Sequence, residues 1–399
     1  MDDISTEYMT KSRLATLFVS RTALNTAHRI IYPFLPSIAR GLGISLAAAS
    51  GLVTLRVIAG LFAPFLGFVS DRVGRRRTME IALLIFALAG MLLAGIGTLT
   101  AAAMAFALYG LSKVLFDPAV HAYLGDTVPY ARRGRAVGIL ELSWSSAWLL
   151  GVPASGLLIE RLGWRTPWAA LAILGLLGLW LIHTRLPPAR RQAASCTGKP
   201  LVKDVFGTWR RLLRRRPVRI LLLTSLFLTL ANEIPFIVYG AWLETAFGLS
   251  LSALGMASIL VGLAEAAAEI GTTVITDRLG KRRSVLTGLL GFAASLVLLP
   301  WLSDQGLVAA LTGVVLMLIT FEFAIVSLIP LATELTPNAR ASLLSLNLTA
   351  FSLGRILGTA AGGWLWQWQE DITLHAIIGA TCALIAALLL HWGMRDIEG

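Results

Sequence analysis

The sequence predicts an all-α polytopic membrane protein, with twelve transmembrane helices in two pseudo-symmetric six-helix halves. Three observations lead there: the composition, the apolar runs, and a repeat at about half the chain length. The 399 residues are 56% hydrophobic and only 14% charged, with a mean hydropathy of +0.76. Soluble domains carry about 25% charged residues, so most of this chain is not made to face water. Apolar runs of about 20 residues, the length that crosses a bilayer core, fall roughly at 14–38, 46–70, 78–98, 101–124, 136–159, 166–186, 218–242, 251–275, 284–303, 307–331, 342–366 and 373–394. They are rich in Leu and Ala and lack the period-2 alternation of barrel strands.

The repeat pairs three stretches across the halves. "PFLPSIARGLGISL" before the second run corresponds to "YGAWLETAFGLSL" before the eighth. "GDTVPYARRGRAVG" after the fourth corresponds to "ATELTPNARASLLS" after the tenth, and "WLLGVPASGLL" has a looser partner in "RILGTAAGGWL". All three lie about 205 to 208 residues apart, the mark of a duplicated six-helix unit with a midplane site between its halves. The predicted organisation is a first half at 1–186, a linker at 187–217 and a second half at 218–399. In the linker, "LVKDVFGTWRRLLRRRP" reads either as an amphipathic helix laying Leu201, Val205, Trp209 and Leu212 on the membrane surface, or as a solvated basic segment.

An even number of spans puts both termini on one side. The loops on that side hold Arg72, Arg75, Arg76 and Arg77, then Arg132, Arg133 and Arg135, the basic residues from Arg190 to Arg219, and Arg278, Lys281, Arg282 and Arg283. The opposite loops offer Arg40, Arg161 and Arg165. The positive-inside rule therefore predicts cytoplasmic termini in a bacterial-type inner membrane. The net charge of +12 is thus topological and does not point to nucleic acid. No small-residue cleavage site closes a short apolar core, so the first run reads as a span and not a cleaved signal. Cys196 and Cys382 fall in the linker and the last span and suggest neither a disulfide nor a metal site.

Between the second and third runs, "GFVSDRVGRRR" places Gly67, Asp71, Arg72, Gly74 and Arg75 in a short charged gap. "ITDRLGKRR" returns the word in the second half with Asp277, Arg278, Gly280 and Lys281. Gly67 suits a close helix approach, and Gly74 suits a turn that needs positive φ. A carboxylate at Asp71 needs partners, in Arg75 and, across the bundle, at the N-terminus of the eleventh span. The word resembles the loop 2–3 motif of the major facilitator superfamily, Gly-x-x-x-Asp-Arg-x-Gly-Arg-Arg, and its loop 8–9 copy, with Thr273 in place of the first glycine. The resemblance covers nearly the whole chain and implies an alternating-access transporter, ordinarily a monomer. It also implies that Arg75 reaches Asp126 at the end of the fourth span, and that Asp277, Lys281 and Glu334 form a parallel set. These clusters would latch the cytoplasmic side in one state and separate in the other.

Ionisable residues inside the runs are costly and functional by default. The first half offers Arg21, His28 and Arg29, then Arg56, Lys113, Asp117 and Glu141. The second offers Glu233, Glu265, Glu269, Glu322 and Arg355. The first set is mainly basic and the second mainly acidic, so the halves would attract across a shared cavity. His28 and Arg29 precede Pro33 and Pro36, and Glu233 precedes Pro235, so both halves put an ionisable group before a helix disturbance. Asn25, His28, Arg29, Arg56, Lys113, Glu233 and Arg355 are the predicted cavity residues. Glu233, Glu265, Glu269, Glu322 and Asp117 are the candidate proton carriers. Several have blander readings. Lys113 and Asp117 lie one turn apart and neutralise each other, Arg21 and Glu141 snorkel to water, and Glu322 pairs with Arg355. Glu265 and Glu269 either share a proton or pair with first-half arginines.

In the fifth run, "SWSSAWLLGVPASGLL" resembles the antiporter motif of the superfamily's drug–proton exchangers, retaining Gly151, Pro153 and Gly156. "LGWRTPW", Leu162 to Trp168, also resembles the exporter branch. No P-loop, dinucleotide fingerprint, His-Glu-x-x-His or nucleophile elbow occurs, which excludes the common enzyme classes. No cofactor is implied; a proton gradient is the expected energy source. The expected function is proton-coupled export of a small amphipathic compound. Lipid or lysolipid flipping and proton-coupled uptake of an organic anion are the alternatives, with membrane lipid as the surrounding partner in each case.

Overall fold

A computed structural model describes residues 10–62, 70, 72–187, 201–336 and 339–394. Among these residues ten helices are long and apolar enough to cross a membrane. The other two of the expected twelve spans fall short for visible reasons. The first, Lys11–Arg29 continued by Ile31–Leu42, carries Arg13, Arg21, His28 and Arg29. The second, Leu46–Ile58 with a tighter turn at Ala59–Phe62, runs to the edge of the described residues. Ile31–Leu42 and Leu46–Phe62 meet at 118°.

The duplicated sequence builds duplicated turns. Gly43 ends the first span at φ 66°, and Gly248 ends the seventh at φ 63°. Two residues on, Ser45 and Ser250 cap the next helices, each side chain accepting from the backbone N–H three residues later. Gly74 and Gly280 start the third and ninth spans at φ 99° and 83°, a left-handed region open to glycine. The third to sixth spans are Arg75–Gly95, Leu99–Thr127, Tyr130–Ser146 continued by Val152–Leu162, and Thr166–Arg185. The seventh is Arg216–Phe236 with Tyr239–Phe247, and the last five are Leu251–Leu279, Lys281–Asp304, Leu307–Leu335, Arg340–Trp366 and Ile372–Gly393.

The first and seventh spans break where expected. The first is interrupted at Ile30, directly after His28 and Arg29, and the seventh at Ile237 and Val238, after Glu233. At the first break the His28 carbonyl accepts from Arg56 Nη1 at 2.7 Å. The fifth span changes pitch over Ala147–Gly151, a π-helical stretch, between the residues that face the centre and the Pro153 segment.

The halves meet along the sparsely charged end. Arg40 Nη2 lies 2.8 Å from Glu244 Oε1, Thr54 and Thr359 hydroxyls are 2.9 Å apart, and the Ser252 N–H donates to Glu160 at 2.6 Å. Spans one and seven cross so closely that a Cβ on Gly240 would overlap the Pro33 carbonyl. Spans five and eight cross at the Gly151–Pro153–Gly156 segment. A Cβ on Gly156 would sit 2.6 Å from the Leu251 carbonyl, and one on Gly255 would sit 3.1 Å from Pro153 Cα. The linker helix, Leu201–Leu213, corrects the surface reading at its described end. Leu212 is 4% exposed and joins the core, and Trp209 packs against it, so both face protein instead of lipid.

Inside the first half, Arg21 ties three spans together. It is 3% exposed, with Nε 3.2 Å from Asp117 Oδ1 and Nη1 3.0 Å from Glu141 Oε1. Nη1 also donates to the Leu140 carbonyl at 3.1 Å. The snorkelling reading therefore fails for Arg21, whose guanidinium Asp117 and Glu141 neutralise in place, while the Glu141 side chain stays partly exposed. Lys113 donates to Asp117 Oδ2 at 2.9 Å and to Asn25 Oδ1 at 2.6 Å, and Asn25 donates to Ser143 at 3.0 Å.

Removing one member of a buried ionic cluster leaves an uncompensated charge, at a cost of about 3 kcal/mol or more. Asp117→Ala should lower the thermal midpoint of the purified protein markedly, and the more exposed Glu141→Gln by much less. Equal midpoints would remove Arg21–Asp117 as the tie. At the crossing of spans one and seven, overpacking costs about 1–3 kcal/mol. Gly240→Val should therefore part the halves there. Ser50, 1% exposed between spans two and eleven, when replaced by cysteine in a chain lacking Cys196 and Cys382, should gain reactivity toward a water-soluble maleimide.

Candidate functional site

Three of the predicted cavity residues, His28, Arg29 and Lys113, gather around one centre. Arg29 crosses from the first half to the second, its Nη2 2.9 Å from Glu265 Oε2. Its guanidinium also lies over two indoles of the fifth span, 4.7 Å from the Trp144 ring and 5.0 Å from the Trp148 ring. Lys113 Nζ sits 4.1 Å from Trp144, and the His28 ring meets the same indole edge-on at 5.9 Å. Of the two open readings for Glu265, pairing with a first-half arginine is the one observed. Glu269, one turn on, is exposed, with no ion-pair partner among the described residues.

Glu233 is the second acidic centre. Tyr32 Oη donates across the halves to its two oxygens, each at 3.3 Å, and Arg355 Nε stands 3.5 Å from Oε1. The expected Arg355–Glu322 pair is thus corrected: Arg355 serves Glu233. The reason lies in the packing of spans seven and eleven. Gly354, Gly358 and Gly362 turn one small-residue face to the seventh span, and a Cβ on Gly358 would come within 2.6 Å of Glu233 Cβ. Arg355, beside Gly354, is carried to Glu233 by that contact. Glu322 is half-buried and has no ion partner among the described residues. Arg56 is 2% exposed and lies 5.8 Å from the Tyr32 ring. Its Nε and Nη2 have no hydrogen-bond partner among the described residues.

At the basic end, Arg75 Nε lies 3.3 Å from Asp126 Oδ2, and Lys281 pairs with Glu334. Both pairs stay within one half. Arg72 and Arg278 are exposed, Arg278 in the last turn of the eighth span. Gly67, Asp71 and the Asp277 side chain lie outside the described residues. Among the described residues no cluster of three or more His, Cys, Asp or Glu could hold a metal ion.

Sequence reading missed the aromatic shell. Trp144 and Trp148 stand three and seven residues after Glu141, a single helical face, and Tyr32 stands three after Arg29. That spacing was available. Phe236 adds rings 4.7 Å from Tyr32 and 6.1 Å from Trp148, and Tyr239 stacks on Phe236 at 5.5 Å. The centre is therefore amphipathic: cations and carboxylates spaced by aromatic faces.

A family model described as Major Facilitator Superfamily matches residues 17–240 and 221–396. The chain is 24% identical to Multidrug resistance protein 2 of Bacillus subtilis (strain 168), over 91% of this chain and 88% of the relative. It is 29% identical to the Lysophospholipid transporter LplT of Klebsiella pneumoniae (strain 342), over 60% of this chain and 62% of the relative. Among solved structures it superposes on the nucleoside transporter NupG with a TM-score of 0.78, at 14% identity over 97% of this chain and all of that one. The D-xylose-proton symporter gives 0.75 at 21% identity over 95% and 96%. Family match, fold and duplicated halves agree, and the chain belongs to the Major Facilitator Superfamily, whose members are transporters and not enzymes.

Proposed function

We propose that the protein exports a small amphipathic compound in exchange for protons, across a bacterial inner membrane with both termini in the cytoplasm. The observation that carries this reading is the Arg29–Glu265 bridge at 2.9 Å, a buried ionic contact joining the halves beside aromatic rings. A proton on Glu265 removes the charge that holds Arg29 and so loosens one half from the other. Glu233, the repeat counterpart of His28, is held by Tyr32 and Arg355 and is a second proton stop. Trp144 supplies a half-buried apolar face, and the buried Trp148 and Phe236 behind it would add theirs as the halves part. The Gly151–Pro153–Gly156 segment packs the halves tightly at the outer end, which limits proton leak. Outer-end contacts between halves, with Arg75–Asp126 and Lys281–Glu334 kept within halves, fit an inward-facing state. In the outward-facing state these basic-end groups would act as the latch.

A second reading, lysolipid flipping, draws on the similarity to LplT and on Arg56. A buried guanidinium with two unsatisfied nitrogens suits an anionic headgroup.

The first test reconstitutes the protein in liposomes with an interior pH dye and an imposed gradient. Glu265→Gln should cut compound-dependent proton flux by at least about tenfold, the scale of a 1–3 kcal/mol coupling, and Glu233→Gln should do likewise. Full flux in both variants would end the exchange reading. The second test compares substrates in Arg56→Gln. Loss of lysolipid transfer with retention of cationic amphipaths would assign Arg56 to a headgroup, whereas no compound-dependent flux in wild type alongside lysolipid transfer would replace export by flipping.

A further inference from the structure

A lateral groove lies between the basic ends of spans one and five, away from the central network. It encloses about 760 Å³, within the ~300–1,000 Å³ of sites that hold a drug-sized ligand. Lys11, Arg132 and Arg135 line one end, and Phe18, Ile139 and Leu142 are among the residues of its apolar floor. On span five the groove residues 132, 135, 139 and 142 share one face. Glu141, which binds Arg21, and Trp144 and Trp148, which receive Arg29, lie on another. Leu142 is 55% exposed, so the floor is open at its surface. Lys11, Arg132 and Arg135 are exposed and have no ion-pair partner among the described residues. Arg132 to Leu142 is ten residues, about 15 Å of helix rise. That is roughly the depth of one leaflet of a ~30 Å hydrocarbon core.

We propose that this groove binds an anionic phospholipid of the cytoplasmic leaflet, its phosphate among Lys11, Arg132 and Arg135 and one acyl chain along Phe18, Ile139 and Leu142. The site stands apart from the translocation path and rests on the reading that the basic end faces the cytoplasm. Charge complementarity selects the occupant. Three unpaired cations at headgroup depth above a leaflet-deep apolar channel match a lipid with a net negative head. A neutral zwitterion would leave the cations without a net counter-charge. Seated there, the lipid would hold span five against span one next to the Arg21–Glu141 contact.

The test is native mass spectrometry of the full chain in detergent micelles doped with dioleoyl phosphatidylglycerol or dioleoyl phosphatidylcholine. It needs no transported compound, so it can fail while export stands, and export can fail while it stands. Wild type should retain the phosphatidylglycerol preferentially, and Lys11→Gln/Arg132→Gln/Arg135→Gln should lose that preference by at least about tenfold, since each basic residue contributes separately near an anionic surface. Ala15→Phe, which fills the groove and keeps the cations, should also lose retained lipid. Equal retention of both lipids by wild type, or a triple variant like wild type, overturns the proposal. Unchanged retention in Ala15→Phe also overturns it, by reducing the effect to surface attraction. A full chain carrying Asp2→Asn/Asp3→Asn/Glu7→Gln should behave as wild type. If phosphatidylglycerol binds only in that variant, the groove belongs to the chain's own N-terminal segment and the proposal falls.

Discussion

A guanidinium at mid-membrane depth needs a counter-charge within a few ångströms, and in this protein Arg29 finds it on the opposite half. Much else follows from that one contact. The helix must break at Ile30 to bring Arg29 and His28 to the centre, and the small-residue face of span eleven must admit Glu233 and Arg355 nearby. Trp144 and Trp148 keep water from the guanidinium and also receive it. Stacking of a cation on an indole contributes about 0.5–2 kcal/mol. Arg29 therefore retains a partner when the Glu265 charge is lost, so the bridge can open without stranding an unsolvated charge.

Duplication accounts for the scaffold and divergence for the chemistry. The turns at Gly43 and Gly248, their serine caps, and the starts at Gly74 and Gly280 are the same device twice, because each solves a backbone problem that both halves share. The intramembrane charges are not duplicated. Position 28 carries a histidine and its counterpart, Glu233, a carboxylate. Two identical sets would repel across the interface, whereas a basic half facing an acidic half attracts. The internal ties differ accordingly. In the first half Arg21, Asp117, Glu141 and Lys113 satisfy one another. In the second, Glu233 draws on Arg355 within its half and on Tyr32 across the interface.

The fold was legible because it is written in run length, loop charge and repeated words, all local quantities. Ionisable positions at the centre were legible for the same reason, since a charge in an apolar run stands out. Their pairing was not. Arg355 and Glu322 lie at similar depth in adjacent spans, yet Arg355 turns to Glu233 because Gly354 and Gly358 bring span seven closer than span ten. Arg21 was read as near enough to water to snorkel, and only the approach of spans four and five shows its two carboxylates. Leu212 has the spacing of a membrane-surface residue, but the linker folds back on the second half and covers it. Each error concerns which helix lies beside which, and periodicity on a single helix carries no information on that.

The distribution of strong and weak contacts explains how such a molecule can move. Across the halves at the sparsely charged end lie hydroxyl pairs such as Thr54–Thr359 and glycine contacts such as Gly156 on Leu251, with one exposed ion pair, Arg40–Glu244. Exposed pairs contribute about 0–1 kcal/mol, and small-residue contacts are lost in small increments. Within each half the ties are ionic and partly buried, as at Arg21–Asp117. A half held together more firmly than it is held to its partner moves as a body. Separation at one end then requires only that many weak contacts part and that the Arg29–Glu265 bridge open with them. Among the described contacts between the halves the Arg29–Glu265 bridge is the buried ion pair, and under the proposed exchange a proton on Glu265 would shift the balance there.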